Sequence, residues 1–215
     1  MTRAGIPFVV SAPSGTGKTT VCRALVAGDA ELEFSISHTT RPRRSGERDG
    51  VHYYFVDRAA FLERVRHGGF LEHAEYAGNL YGTSFEAIDK PLAAGRDLLL
   101  EVDVQGALQL RQRRQDARFV FLLPPSRAEL ERRLRGRGTD CDDAVARRLA
   151  EVDRELRAVH AFDYAVVNRD VEETTRAVAE IIAAERLGEP GVVRVRYGRE
   201  GVVARMAVRL QIPVS

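Results

Sequence analysis

Lysine is nearly missing. Of 33 basic residues only Lys18 and Lys90 are lysines, so the chain writes its positive charge almost wholly as arginine. Cysteine is as scarce. Cys22 and Cys141 stand far apart without metal-ligand spacing, which argues against a disulfide framework or a zinc site and leaves two reduced thiols with no assigned chemistry. An excess of one charge is lacking too: a net charge of +2 provides no global field for nucleic acid and points to a small partner. No apolar run is long enough for a membrane span or a signal core, so no membrane partner and a cytoplasmic location are expected. Low-complexity tracts and repeats of solenoid period are absent from the sequence. Its 215 residues suit one α/β domain with an insertion or two.

What is present centres on Phe8-Val-Val-Ser-Ala-Pro-Ser-Gly-Thr-Gly-Lys-Thr-Thr20, an apolar run feeding a glycine-bearing loop that ends in a lysine and hydroxyls. The order reads as strand, loop, helix. A phosphate chain needs converging backbone N–H donors, and Gly15 and Gly17 take backbone angles closed to other residues. Lys18 offers a point charge to β- and γ-phosphates, Thr19 a hydroxyl to Mg²⁺, and the next helix its positive end. The stretch looks like a Walker A motif with Ala12 where the strict pattern has glycine. The plainer alternative is an ordinary turn with Lys18 solvated. A lysine at the motif position of an arginine-writing chain argues against it.

Beyond the loop, a helix from Thr19 to about Ala27 and a strand over Glu33–Ser37 precede His38–Gly50, which is rich in turn formers and arginine and reads as a surface loop. Taken alone that loop is equally a solvated basic turn or a phosphate grip made of Arg41 and Arg44 around the stiff Pro42. Strands are expected at Val51–Val56, Phe70–Tyr76 and Leu80–Thr83, and helices at Ala60–Val65, capped by Asp57, and from Ser84 to about Ala94. Residues 38–94 thus form a compact, strand-rich insert. By itself Glu72 reads as a solvent-facing strand residue, and Tyr53 and Tyr81 as core aromatics.

Asp97-Leu-Leu-Leu-Glu101-Val-Asp103 is an apolar run closing on acids, as in a buried parallel strand whose carboxyl end faces a site. A helix to about Arg114, a strand over Arg118–Leu123 and a helix from Ser126 through Leu134 follow. A glycine-punctuated basic stretch, 133–143, resembles a lid; a helix over about 142–159 carries Arg147 and Arg148, and Tyr164–Val167 and a helix to about Leu187 end the series. Strand alternating with helix predicts a parallel, doubly wound sheet with ligands at its carboxyl edge. Residues 188–215 alternate like a β-hairpin about Gly198–Gly201 and carry no functional reading.

Ser37-His-Thr-Thr-Arg41, Gly50-Val-His-Tyr53, Phe70-Leu-Glu72, Gly78-Asn-Leu-Tyr81-Gly-Thr83, Asp103-Val-Gln-Gly106, Arg135-Gly-Arg137-Gly and Val167-Asn168, in this order around the phosphate loop, resemble the guanylate kinases over about residues 6–187. The resemblance implies an α/β fold of P-loop NTPase type: a core over 1–37 and 95–187, a GMP-binding insert over 38–94 and a short helical lid over about 135–143. It implies reversible transfer of the ATP γ-phosphoryl group to GMP, and to dGMP, with Mg²⁺. It places Ala12, Pro13, Ser14, Gly15, Thr16, Gly17, Lys18, Thr19 and Thr20 on ATP, with Arg133, Arg137 and Arg148 closing over the transferred group and Asn168 near adenine. Lys18, Arg41, Arg137 and Arg148 would act on the reacting phosphates. Arg41, Arg44, Tyr53 and Tyr81 are implied on the GMP phosphate, Glu72 on guanine, and Ser37, Thr83 and Asp103 around the base. Thr19 and Glu101 would serve the metal, though Glu101 stands where the family commonly has aspartate. Two rivals are a guanylate-kinase-like interaction module, which tends to lose the phosphate loop, and a kinase of another phosphorylated nucleoside or sugar.

Overall fold

The buried run Pro7–Ser11 (β1) is the middle strand of a parallel sheet, and each of its faces needs cover. In the computed structural model, which describes residues 3–76, 78–135 and 151–212, that sheet has the order β2-β7-β1-β8-β9. Its other strands are β2 (Leu32–Phe34), β7 (Asp97–Glu101), β8 (Arg118–Leu123) and β9 (Tyr164–Val167). Side chains alternate between two cores. Phe8, Val10, Leu99 and Val120 pack beneath α1 (Lys18–Gly28) and α7 (Val171–Leu187). Val9, Leu98, Leu100 and Phe119 face α4 (Val104–Arg113) and the helical residues 151–157, labelled α6. The doubly wound α/β expectation holds. Asp97 ties the first residues to this frame, accepting from the Ile6 N–H at 2.7 Å and from the guanidinium of Arg186 on α7 at 2.6 Å.

Residues between β2 and β7 build a second sheet of order β4-β3-β6-β5, from β3 (His38–Thr39), β4 (Tyr54–Phe55), β5 (Phe70–Tyr76) and β6 (Asn79–Ser84). Helices α2 (Arg58–Arg66) and α3 (Glu86–Ala93) flank it, the first capped by Asp57, which accepts from the Ala60 N–H at 2.7 Å. A small core of Phe61, Phe70 and Leu80 holds α2 on the sheet. The sheet is fastened to the parallel core through α4, where Gln109 brackets His73, accepting from its N–H and donating to its carbonyl. α5 (Arg127–Arg135) follows β8.

Three expectations change. The loop reading of 38–50 fails at its first two residues, since His38 and Thr39 are buried and paired to Gly82 and Tyr81. The strand over 51–56 shrinks to Tyr54–Phe55 because 51 and 52 turn back onto the Arg48 carbonyl. The C-terminal hairpin is not formed. Gly191–Tyr197 (α8) and Arg199–Leu210 (α9) are helices, with Val202, Val203, Met206, Ala207 and Leu210 buried at helical spacing. The β-branched valines suggested strands, but burial of one face of each helix overrode that preference. α8 packs its Val193 and Tyr197 on one side of the sheet and α9 packs on the other. Together they wrap the outer edge of β9, where Gly198 bridges to Tyr164.

Candidate active site

At the carboxyl edge of the sheet lies a cavity of about 370 Å³ between the loop after β1 and the second sheet. The loop is bent by Gly15 at φ 84° and Gly17 at φ 96°, left-handed angles that a Cβ would strain. It is also held from beneath. Asn168, just past β9, donates to the Thr16 carbonyl at 2.6 Å and accepts from the Thr174 hydroxyl of α7 at 3.0 Å. A Cβ on Gly17 would stand 2.9 Å from that same amide nitrogen. Asn168 therefore sits buried under the loop rather than on the cavity wall.

Lys18 and Thr19 open α1 and meet the end of β7. The Lys18 ammonium donates to the Val102 carbonyl at 2.5 Å, and the Thr19 hydroxyl donates to Glu101 at 2.5 Å. Glu101 and Asp103 line the cavity beside them, and Asp103 also caps α4 by accepting from the Gly106 N–H at 2.7 Å. One hydroxyl and one carboxylate form a small, hard oxygen set. Among the described residues no group of three or more His, Cys, Asp or Glu could hold a metal. That limited set suits Mg²⁺, which keeps waters and takes phosphate oxygens for its remaining positions.

The opposite wall comes from strand register. β5 and β6 set Glu72 against Thr83, and Ser37, just before β3, lies alongside. The Thr83 hydroxyl donates to Glu72 at 2.6 Å, and it lies 3.0 Å from the Ser37 hydroxyl. Thr83 has one proton to give, so Ser37 donates to Thr83 and the row runs Ser37, Thr83, Glu72. The solvent-facing reading of Glu72 is overturned: it is 4% exposed. Burial pushes its carboxyl up to about 7 against the lowering effect of Thr83, and Asp103 raises it further. Gly106 leaves room for it, since a Cβ there would stand 2.5 Å from Glu72 Oε2. Gly106→Ala is expected to force the carboxylate aside at a cost of about 1–3 kcal/mol, read as a lower melting temperature. An unchanged melting curve would mean that the carboxylate yields freely.

Tyr53 and Tyr81 reach the same cavity, their rings 6.1 Å apart. Arg41 stands over Tyr53 at 5.6 Å from the ring centroid and is paired with Glu47 at 2.7 Å, which also accepts from the Arg44 N–H. The Arg44 side chain is exposed. So the basic loop is folded on itself by Glu47, with its guanidinium beside the two tyrosines. Two cavity residues had no motif to mark them: Tyr76, whose hydroxyl donates to the Ser14 hydroxyl at 3.2 Å, and Glu155 on α6. Ser14, Gly15 and Thr20 line the cavity, as do the largely buried Ala12 and Pro13, whereas Thr16 is buried away from it. Arg137, Arg148 and most of the expected lid lie outside the described residues, as does the Arg133 side chain.

Residues 4–185 match a family model described as guanylate kinase. The chain belongs to the guanylate kinase family. It is similar to a guanylate kinase of Thermus thermophilus, 48% identical over 97% of this chain and 90% of that protein. That of Methylobacillus flagellatus is 48% identical over 84% and 89%. The crystal structure of guanylate kinase from Anaplasma phagocytophilum, 36% identical, superposes with a TM-score of 0.70 over 86% of this chain and 87% of that one. The protein is thus an ATP:GMP phosphotransferase acting on small nucleotides. The family model ends within α7, yet the Thermus alignment is long enough to run into α8 and α9, so guanylate kinases include members with this tail. Among the described residues no helix is long and apolar enough to cross a membrane.

Proposed function

We propose that the cavity seats the two nucleotides head to head, the ATP triphosphate on the loop of residues 12–20 and the GMP base on Glu72. The single observation that carries this reading is the buried Glu72 carboxylate, held by the hydroxyl row at one wall while the phosphate loop forms the other. A carboxylate accepts from both guanine N1–H and the exocyclic amine. Adenine presents an acceptor at N1 and no 2-amino group, so AMP would leave Glu72 without a donor. Ser37, Thr83 and Asp103 complete the base pocket. Nothing in this contact involves the sugar 2′-position, and dGMP is expected to serve as acceptor too.

Arg41, Arg44 and the hydroxyls of Tyr53 and Tyr81 would hold the GMP phosphate. The dianion must then share the Arg41 guanidinium with Glu47 or take it over. On the donor side, the N–H groups of the loop and Lys18 bind the β- and γ-phosphates, and Thr19 with Glu101 would hold Mg²⁺. When bound, Mg²⁺ would supply positive charge against the phosphate oxygens. Asn168 keeps the loop in shape from beneath, and Arg133, Arg137 and Arg148 are assigned to the transferred group by resemblance. On this reading residues 38–94 are the acceptor-binding unit and 1–37 with 95–187 the donor-binding core, working in the cytoplasm.

The reaction needs no covalent enzyme intermediate and no strong base. An oxygen of the GMP phosphate attacks the γ-phosphorus, the bond to the β–γ bridging oxygen breaks, and ADP leaves. What the chain contributes is alignment and charge: Lys18 and the arginines face the negative charge spread over the transferring group. A coupled assay for ADP with GMP, dGMP, AMP, UMP and ribose bisphosphate side by side tests the reading. Fast turnover with the guanine nucleotides and little with the rest is expected. Equal rates with AMP would remove Glu72 from base selection.

A further inference from the structure

The phosphate loop already carries an anion of its own. Glu155 Oε2 accepts from the Ser14 N–H at 3.3 Å, and Ser14 faces the cavity next to Gly15, Gly17 and Lys18. Glu155 comes from α6, an element separate from the loop, and is half-buried at the cavity wall. Ser14 also takes the Tyr76 hydroxyl from the second sheet, so three parts of the fold meet on this residue. An N–H in a loop shaped for phosphate is a donor that an incoming anion needs. A carboxylate sitting on it both uses that donor and repels a polyphosphate.

We propose that Glu155 is an internal occupant of the phosphate loop, holding the Ser14 N–H until the phosphates of ATP displace it, and so sets the affinity for the donor. This rests on the assignment of the loop to ATP. Three observations favour displacement over a permanent brace. The contact is long for a charge-assisted hydrogen bond, which runs nearer 2.7–2.9 Å. The side chain has a path to solvent. And the cavity is already acidic: Glu72, Glu101 and Asp103 share it with Glu155, against Lys18 as the one cation among its described lining residues. Burial pushes the Glu155 carboxyl up to about 7, with the Ser14 N–H and Lys18 opposing and Glu151 and Asp103 reinforcing the rise. The charged form is therefore only weakly held near neutral pH. Tyr53, Tyr76, Tyr81, Glu72 and Glu101 are the other titratable groups lining the cavity with it.

The test is the dissociation constant of Mg-ATP, measured by calorimetry for the full chain and for Glu155→Ala and Glu155→Gln at pH 8 and pH 6. At pH 8 the alanine variant is expected to bind about 3- to 10-fold more tightly than the unchanged protein, the range of one ordinary hydrogen bond. By pH 6, where Glu155 is largely protonated, that ratio should shrink toward one. The titration of ATP itself is common to all three proteins and drops out of the ratio. Glutamine keeps the shape without the charge, so its affinity relative to alanine should not change with pH, and it provides the comparison if alanine disturbs folding. Equal or weaker binding by Glu155→Ala at pH 8, or a glutamine variant as pH-sensitive as the unchanged protein, would overturn the proposal. If the folded, unchanged protein bound no ATP, the donor assignment itself would fall; binding without the predicted gain removes only the role given to Glu155.

Discussion

Lys18→Ala is expected to lower turnover by about 100- to 1,000-fold, the loss typical when one fixed donor to developing charge is removed. The size of the effect follows from the surroundings of Lys18. Glu72, Glu101, Asp103 and Glu155 line the same cavity, and without the ammonium an incoming polyphosphate meets these carboxylates with no cation among the described lining residues to offset them. Folding should survive. Lys18 is partly exposed and gives up one hydrogen bond, to the Val102 carbonyl, so stability should fall by about 1 kcal/mol at most. The coupled ADP assay, run beside a thermal melt, separates the two. Near-normal turnover in a folded variant would exclude Lys18 from the chemistry.

Glu72→Gln should act in opposite directions on binding and on stability. Glutamine keeps the length and can still accept from Thr83, but with guanine seated as proposed its amide N–H would face the N–H groups of the base and replace a charged acceptor. A loss of about 100-fold in kcat/KM for GMP is expected, with a much smaller change for AMP, so the selectivity ratio falls. An unchanged ratio would put the guanine contact elsewhere. The stability effect comes from the buried charge. The Glu72 carboxyl lies near 7 in the folded protein against 4.5 as its ordinary value, so its ionisation opposes folding. Stability is fully present below pH 4.5 and is lost as pH rises through 7. Above that range the variant should be the more stable protein by about 3 kcal/mol, with the difference closing toward pH 4.5. Denaturant titrations at pH 5 and pH 8.5 check this. A constant difference between them would mean that the carboxylate is not strained by burial. On the proposed reading, the enzyme gives up stability to keep an acceptor for guanine.

The parts of this molecule that could be read in advance are those written in short segments. The β1 run, the glycine loop and Lys18 follow one another along the chain, and their backbone logic is local. The alternation of strands and helices also survives translation into structure, because each parallel strand is buried on both faces and so reads as a continuous apolar run. Glu72 was harder. Viewed along its strand it has the look of a solvent-facing residue, and only the pairing of β5 with β6 and the approach of α4 bury it, contacts far apart in sequence. His38 and Thr39 were hidden for the same reason, their turn-rich surroundings outweighing a two-residue pairing with β6. Glu155 and Tyr76 had no motif, since their meeting at Ser14 depends on three separate elements. The tail failed differently: valines favour strands, and the period that mattered was set by the two faces of a sheet on which α8 and α9 land.

That tail also determines how the protein should be cut. The family match stops at residue 185, and a chain trimmed there would lose α8 and α9 together. The row of backbone groups on β9 would then meet water and neighbouring molecules directly, along with the apolar surface that Val202, Met206 and Leu210 now cover. A bare parallel edge of this kind invites strand addition from another copy, so the shortened enzyme should clump in solution even with every nucleotide contact in place.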